Sequence, residues 1–422
     1  MTDWTIACKA MVCPAAARLF SRPGARQWEC MSQFRTCIRA VVLTHLRGRL
    51  SLALTLAFVA SSATPLLSQP TRTGESRADT TGVRVCMGGD VSLGTNLDTT
   101  WVDRAAKWMR RRPEALPAPS QLLAPLVPML DSADMVMVNL EGAIGDSATD
   151  PDTSTRTKCA GSTSGCYALR MPASAASALR HLRDGGEVVA NVANNHSRDA
   201  GVTGLARTLD ALDRAGVHVT GADTLATPVV SSRGDTVAFL GFGSSGEPDV
   251  RDLRAVRRHV SRAAARYPRL VVTMHVGAEG ASAQRTRDTM ETFLDERRGN
   301  PVAFAHTAVD AGATLVVGHG PHVVRALEWR HGALIAYSLG NLVTYGPFAL
   351  RSPLDRGAVL CATMDGRGAV SAVRLISTRQ RAPGLVRADP RARAAVLADS
   401  LSKLDFPRTG AHVVVEASVR RP

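Results

Sequence analysis

From Val83 onward, short apolar runs recur, each closed by glycine or a polar side chain. Residues 83–87 lead into Gly88-Gly89-Asp90, and 135–138 into Asn139-Leu140-Glu141-Gly142. Residues 188–193 lead into Asn194-Asn195-His196, and 270–274 into His275. Residues 313–317 lead into Gly318-His319-Gly320-Pro321-His322, and 334–339 into Gly340-Asn341. Such runs, uncharged and β-branched, predict buried strands, and glycine lets the backbone turn where each ends. Further strands are expected at 217–221 and 236–241. A hairpin is expected from 359–364 and 369–377 across Asp365-Gly366-Arg367-Gly368, and a closing strand at 412–419. Stretches of helical period lie between them: 101–132 with a proline-rich break at 113–119, then 173–184, 204–215, 250–267 and 301–311, and 392–404 late in the chain. Alternating strands and helices argue for an α/β fold with buried sheets. Residues 83–345 read as one domain, which 346–422 complete with strands and a helix.

The N-terminal part has a different character. Arg47 and Arg49 precede the apolar run 50–60, and Ser61-Ser62-Ala63 offers small residues for cleavage. This predicts a signal peptide or membrane anchor over 42–68. Residues 1–41 form an extension ahead of it, and Met31 is the more natural start. The polar residues 69–82 read as a linker. The expected location is exported: periplasmic, cell-envelope or extracellular.

Composition adds limits. The chain has 422 residues, 45% hydrophobic and 21% charged, with a net charge of +14. The first 68 residues hold eight Lys/Arg and two Asp/Glu, so six of those charges lie there. The basic residues are mostly single or paired arginines without interleaved aromatics, so no nucleic-acid partner is expected. Cys8, Cys13, Cys30 and Cys37 precede the domain. Cys86 and Cys361 sit in apolar runs and read as small core residues. Cys159 and Cys166, in a Gly/Ser/Thr loop, are the expected local disulfide of an exported protein.

The strand ends carry the chemistry. Asp90, Glu141, Asn195-His196, His275, and His319 with His322 follow five separate strands. Open α/β sheets place sites at such ends. Carboxylates with imidazoles suit Zn, Mn or Fe. The donors exceed what one tetrahedral ion takes, and a carboxylate-bridged pair of divalent ions would use them all.

Here the sequence resembles the capsule-synthesis CapA family, associated with poly-γ-glutamate capsules. The motifs are Gly89-Asp90-Val91-Ser92-Leu93-Gly94, Asn139-Leu140-Glu141, 193–201, His275-Val276-Gly277-Ala278-Glu279, Gly318–Val323 and Tyr337-Ser338-Leu339-Gly340-Asn341, over about 84–345. That family is similar to calcineurin-like metallophosphoesterases. The resemblance implies a four-layer α/β sandwich of two mixed sheets with a two-metal site. It implies Asp90 and His322 on the first metal, Glu141 bridging, and Asn195, His275 and His319 on the second. His196 would be the general acid, oriented by Asp199. Glu279, Tyr337 and Asn341 would face substrate, with Ser338 on the same edge, and Arg170 would meet an anionic group. Phosphoesterases of this type carry Asp-x-His at the first motif; Ser92 replaces that histidine, which implies a weaker first site. Val276 and Gly280 replace aromatic positions of the family. Two function classes follow: an exported two-metal hydrolase of a phosphoester or amide-linked polymer, or a non-catalytic envelope factor that guides capsule polymer. Simple anion binding is a third. The partners implied are an anionic polymer or phosphorylated substrate and membrane proteins of capsule assembly.

Overall fold

The computed structural model describes residues 82–94, 99–145, 168–346, 348–414 and 418–421. The extension 1–41, the segment 42–68, linker residues 69–81 and the Cys159 and Cys166 pair lie outside the described residues.

β1 (Val83–Ser92), β2 (Met135–Leu140), β3 (Glu187–Asn191) and β4 (His218–Thr220) pair in parallel, in that order. A second sheet holds β5 (Thr227–Val230), β6 (Thr236–Gly243), β7 (Leu270–His275), β8 (Leu315–His319), β9 (Leu327–Arg330) and β10 (Ala333–Ala336). Its spatial order is β9-β10-β8-β7-β6-β5, with antiparallel strands at both edges. The chain then returns to the first sheet as β11 (Asn341–Thr344), β12 (Arg356–Met364), β13 (Val370–Arg381) and β14 (Leu385–Ala388). β12 runs antiparallel to the N-terminal part of β1, while β11 runs parallel to its last residues.

Alternation sets the layers, because successive strand residues face opposite sides. Val83, Val85, Met87, Met135, Met137 and Val189 meet Phe239, Val271, Leu315 and Val317 between the two sheets. Val136, Val138, Val188 and Ala190 face the other way, packing with Ala105 of α1 (Thr99–Met109), Leu179 of α2 (Ser174–Arg180) and Leu212 of α3 (Gly201–Arg214). Leu240, Val272, Met274 and Val316 pack on Val256 and Val260 of α4 (Leu253–Ala264) and Phe304 and Ala308 of α5 (Pro301–Asp310). The result is the helix–sheet–sheet–helix sandwich. Ala394, Ala395 and Ala398 of α6 (Arg393–Asp405) join the central core. Each fully buried Leu, Val or Met contributes roughly 1.5–3 kcal/mol.

Two expectations are corrected. Cys86 and Cys361 are not separate core residues. They stand opposite one another on β1 and β12 and form a buried disulfide across 275 residues of sequence. Apolar surroundings suited either role, and only the strand pairing brings the sulfurs together. The stretch 334–341 is not one strand. Residues 333–336 end the second sheet's β10, residues 337–340 cross the sandwich, and β11 joins the first sheet. Gly340 makes the crossing with φ +67°. A β-carbon on Gly89 would overlap the Gly340 carbonyl oxygen, and one on Gly318 would overlap that of Tyr337. Both sheets therefore approach the same crossing segment through glycine.

Candidate metal centre

The donors gather where the strands end. Asn139, Asn191, His275 and His319 continue the parity of Met137, Val189, Val271 and Val317, so they face into the gap between the sheets. Asp90 has the wrong parity for that face. A register irregularity around Gly88–Val91 corrects it, and Val91 packs in the outer layer while Asp90 turns inward. In register, Asn341, Asp90, Asn139 and Asn191 form a polar row across four strands, and His319 stands beside His275 on the second sheet.

Asp90, Glu141 and His322 offer ligand atoms that all lie within 4.8 Å of one another, with both carboxylates buried. Asp90 Oδ2 is 3.1 Å from His322 Nδ1, and Asp90 Oδ1 is 3.7 Å from His319 Nδ1. Glu141 Oε1 is 3.8 Å from His275 Nε2 and 3.7 Å from His322 Nε2. His322 Nε2 also lies 3.5 Å from Glu279 Oε2, and its Nδ1 lies 3.0 Å from Asn341 Oδ1. A φ of +60° aims His322 into this ring of acceptors.

Both Glu141 carboxylate oxygens, both His319 ring nitrogens and His275 Nε2 are buried without a hydrogen-bond partner among the described residues. Buried polar atoms are rarely left so, and a carboxylate least of all. Burial pushes Glu141 well above the usual carboxylate range; His322 opposes this, and the charges of Asp90 and Glu279 add to it. Burial works on Asp90 too, but His322, His319 and His275 outweigh it and hold that carboxyl low. Burial lowers His275 to about 3 and His319 to about 4, so both rings are neutral and offer lone pairs. His322 is raised despite burial by Glu141, Asp90 and Glu279. Three acids around neutral imidazoles make a cavity that fits a divalent cation, and the donor types suit Mn, Zn or Fe.

Asn139 is the organiser that the sequence reading left out of the site. Its amide donates to Asp90 Oδ1 at 2.8 Å and lies 3.3 Å from His275 Nδ1. Its oxygen accepts from Asn191 at 2.8 Å and Asn194 at 3.2 Å. The one available signal was its place, two residues before Glu141 at a strand end.

A cleft of about 650 Å³ opens over the cluster, lined by His196, Glu279, Gly280, His322, Asn341, Leu169, Phe293, Phe348, Ala349 and Leu354. His196 Nδ1 lies 2.6 Å from Asp199 Oδ2. Asn195 is buried on the same turn, next to Asn194, whose Nδ2 donates to Leu140 O. Glu279 ion-pairs with Arg298 at 2.8 Å; burial alone would raise its carboxyl, but His322 and Arg298 bring it to about 2. Two expected substrate contacts are not brought to the cleft. Tyr337 is fully buried, its hydroxyl donates to Glu328 Oε2 at 2.6 Å, and its ring stacks on Phe406. Its side chain follows β10 into the second sheet, away from the edge that Asn341 reaches. Arg170 is buried outside the lining, and its guanidinium meets no hydrogen-bond partner among the described residues. Ser338 is buried and donates no contact to the lining; its hydroxyl accepts the Gly340 amide.

A family profile described as "Bacterial capsule synthesis protein PGA_cap" matches residues 84–345. With fold and cluster as described, the chain belongs to that family of capsule synthesis proteins. It is CapA-like. It is 29% identical over 182 residues to PGA biosynthesis protein CapA of Bacillus subtilis (strain 168), covering 39% of this chain and 44% of that protein. It is 30% identical over 186 residues to capsule biosynthesis protein CapA of Bacillus anthracis, covering 39% and 42%. The chain therefore spans less than half the length of these two relatives. A probable polyglutamine synthesis accessory protein of Mycobacterium tuberculosis is 28% identical over 308 residues, covering 62% and 74%. Among solved structures, NAD nucleotidase of Haemophilus influenzae superposes with TM-score 0.32 and 10% identity, covering 76% of this chain and 55% of that one. GAP50 of the Plasmodium inner membrane complex superposes with TM-score 0.31 and 10% identity, covering 73% and 88%.

Proposed function

We propose that this chain is an exported, metal-dependent phosphoester hydrolase working in capsule or envelope polymer synthesis. The observation that carries the reading is Glu141, a buried carboxyl group whose two oxygens meet no hydrogen-bond donor among the described residues, set beside His275, His322 and Asp90. Asp90, Glu141 and His322 would hold one divalent ion, with His275, His319 and Asn195 available to a second. Such ions, when bound, supply a Lewis acid for a phosphoryl oxygen.

The chain's own groups do the rest. His196 lines the cleft, and Asp199 holds its Nδ1, so Nε2 is the nitrogen presented to substrate. Asp199 Oδ2 also accepts the Leu169 amide, which fixes the carboxylate that fixes the ring. Water adds to phosphorus, the ester P–O bond breaks, and the electron pair leaves with the alcohol oxygen. The His196 imidazolium gives that oxygen its proton, and the proton lost by the water restores the charge. The buried disulfide Cys86–Cys361 is consistent with an extracytoplasmic location. In that setting the partners are a phosphorylated substrate or an anionic capsule polymer, and membrane proteins of capsule assembly.

A second reading is a non-catalytic factor that guides polymer. Ser92 favours it. This residue is buried, its hydroxyl meets no hydrogen-bond partner among the described residues, and it replaces an imidazole donor. Elemental analysis of purified protein, with hydrolysis of an aryl phosphate in Mn²⁺, separates the two. Near two ions per chain with turnover supports the hydrolase. No ions and no turnover leave the guide.

A further inference from the structure

The cleft above the cluster is lined by two chemically distinct sets of residues. One set is His196, His322, Asn341 and Glu279. The other is Leu169, Phe293, Phe348, Ala349 and Leu354. No Lys or Arg lines it among the described residues. Arg298, the cation paired with the lining residue Glu279, is already committed. It pairs with Glu279 at 2.8 Å and Glu296 at 3.1 Å, and its guanidinium carbon lies 5.6 Å from the centre of the Phe293 ring.

Arg298 thereby contacts one residue of each set, Glu279 and Phe293. The hairpin bearing Phe293, in which Glu291–Phe293 pairs antiparallel with Glu296–Gly299, is fixed again at its base. Buried Arg325 donates to Glu291 at 2.7 and 3.1 Å, and Glu291 accepts the Ala278 amide at 2.7 Å. The hairpin turns at Leu294 and Asp295, with φ +48° and +64°, and Leu294 is 63% exposed at its tip. A bulky residue in that conformation is uncommon. The hairpin that carries Phe293 thus ends in an exposed leucine.

We propose that the cleft selects phosphomonoesters of apolar alcohols, the phosphate at the metal cluster and the alkyl chain against Phe293, Phe348 and Leu354. This rests on the metal-site reading above and names the substrate class of that site. A polymer with a carboxylate on every unit is poorly matched. Its first charge suits the cations, but the next would meet Glu279 and an apolar wall, with no Lys or Arg in the lining among the described residues. An alkyl chain meets the opposite balance, since each methylene it buries favours binding about fourfold.

The test is calorimetric titration of Mn²⁺-loaded full-length chain with methyl-, butyl- and hexylphosphonate and with tri-γ-glutamate. Affinity should rise about threefold to fourfold per methylene, and tri-γ-glutamate should bind more weakly than hexylphosphonate. In Phe293→Ser the increment should fall below about twofold per methylene, with Mn²⁺ stoichiometry showing that the site is intact. Equal affinity for methyl- and hexylphosphonate, tighter binding of tri-γ-glutamate, or no phosphonate binding would each overturn the proposal. Hydrolysis is scored separately on butyl, hexyl and glycerol phosphates. Chain-length-dependent binding without turnover keeps the subsite and removes the hydrolase reading. Turnover that ignores the alcohol removes the subsite alone.

Discussion

His196 Nδ1 lies 2.6 Å from Asp199 Oδ2, and that same oxygen accepts the Leu169 amide at 2.7 Å. The carboxylate is therefore fixed from the backbone and the imidazole from the carboxylate. Asp199→Asn keeps an acceptor for the amide but loses the charge that stabilises the imidazolium. Its kcat on an aryl phosphate in Mn²⁺ should fall by about 100-fold or more, with KM nearly unchanged. His196→Ala should match it, and the double variant should add little. Additive losses would show that the two do not act as a unit.

Glu141→Gln tests the orphaned carboxylate. Elemental analysis should show fewer bound ions. In the unaltered chain, Mn²⁺ at about 100 times its dissociation constant should stabilise the fold by roughly 2.7 kcal/mol, which chelator removes. That stabilisation should shrink sharply in the variant. Without metal, the variant should be no less stable than the unaltered chain, because an amide replaces a buried carboxyl group whose oxygens meet no hydrogen-bond donor among the described residues. Full metal binding by Glu141→Gln would remove this residue from the centre.

Much of this centre was legible in the chain because strand ends are local events. A β-branched run followed by glycine and Asp or His announces both the strand and the group it delivers. Asn139 was harder, since its worth lies in touching Asp90, His275, Asn191 and Asn194 at once, and that requires the register of three strands. Cys86 and Cys361 were misread for the same reason: strand pairing across 275 residues decides whether two buried thiols meet. Tyr337 was expected at the site because it shares a family-like motif with Asn341, but the chain changes sheets between them. The Phe293 hairpin gave little warning, as Leu294-Asp295 is not a usual turn pair.

Removing the disulfide should cost stability more than activity. The chain-entropy view assigns roughly 5 kcal/mol to a loop of this length. The residue pair is buried in the first sheet, several residues before Asp90 on β1. Cys361→Ala with Cys86→Ala should lower the urea midpoint substantially, while folded protein at low temperature keeps its metal. An unchanged midpoint would show that the cross-link does not stabilise the fold.

Gly89→Ala tests the crossing. A β-carbon there meets the Gly340 backbone, which cannot move without shifting β11 and Asp90, bonded to Gly340 through its own amide at 3.0 Å. Both stability and metal affinity should drop. Gly145→Ala is the control, with nothing among the described residues within 4 Å of the added carbon. Equal behaviour of the two variants would refute the steric account.

Glu328 makes the last test, away from the metal cluster. It is buried, and accepts from Tyr337 at 2.6 Å and Thr409 at 2.9 Å, with His306 Nε2 also 2.9 Å away. Burial alone would raise its carboxyl, but the bonds from His306 and Tyr337 outweigh it and hold the group below the usual range. A carboxyl lowered on folding adds stability that is present above the ordinary Glu value, about 4.3. That stability is lost as pH falls through the lower, folded value. Glu328→Gln removes the ionised acceptor, so at pH 7 it should be less stable by about 1–3 kcal/mol. At lower pH the unaltered chain loses this advantage and the gap should narrow. Urea titrations of both proteins in chelator, at pH 7 and near pH 3.5, give the two differences directly. A gap of the same size at both values would mean that the Glu328 charge adds nothing to the fold.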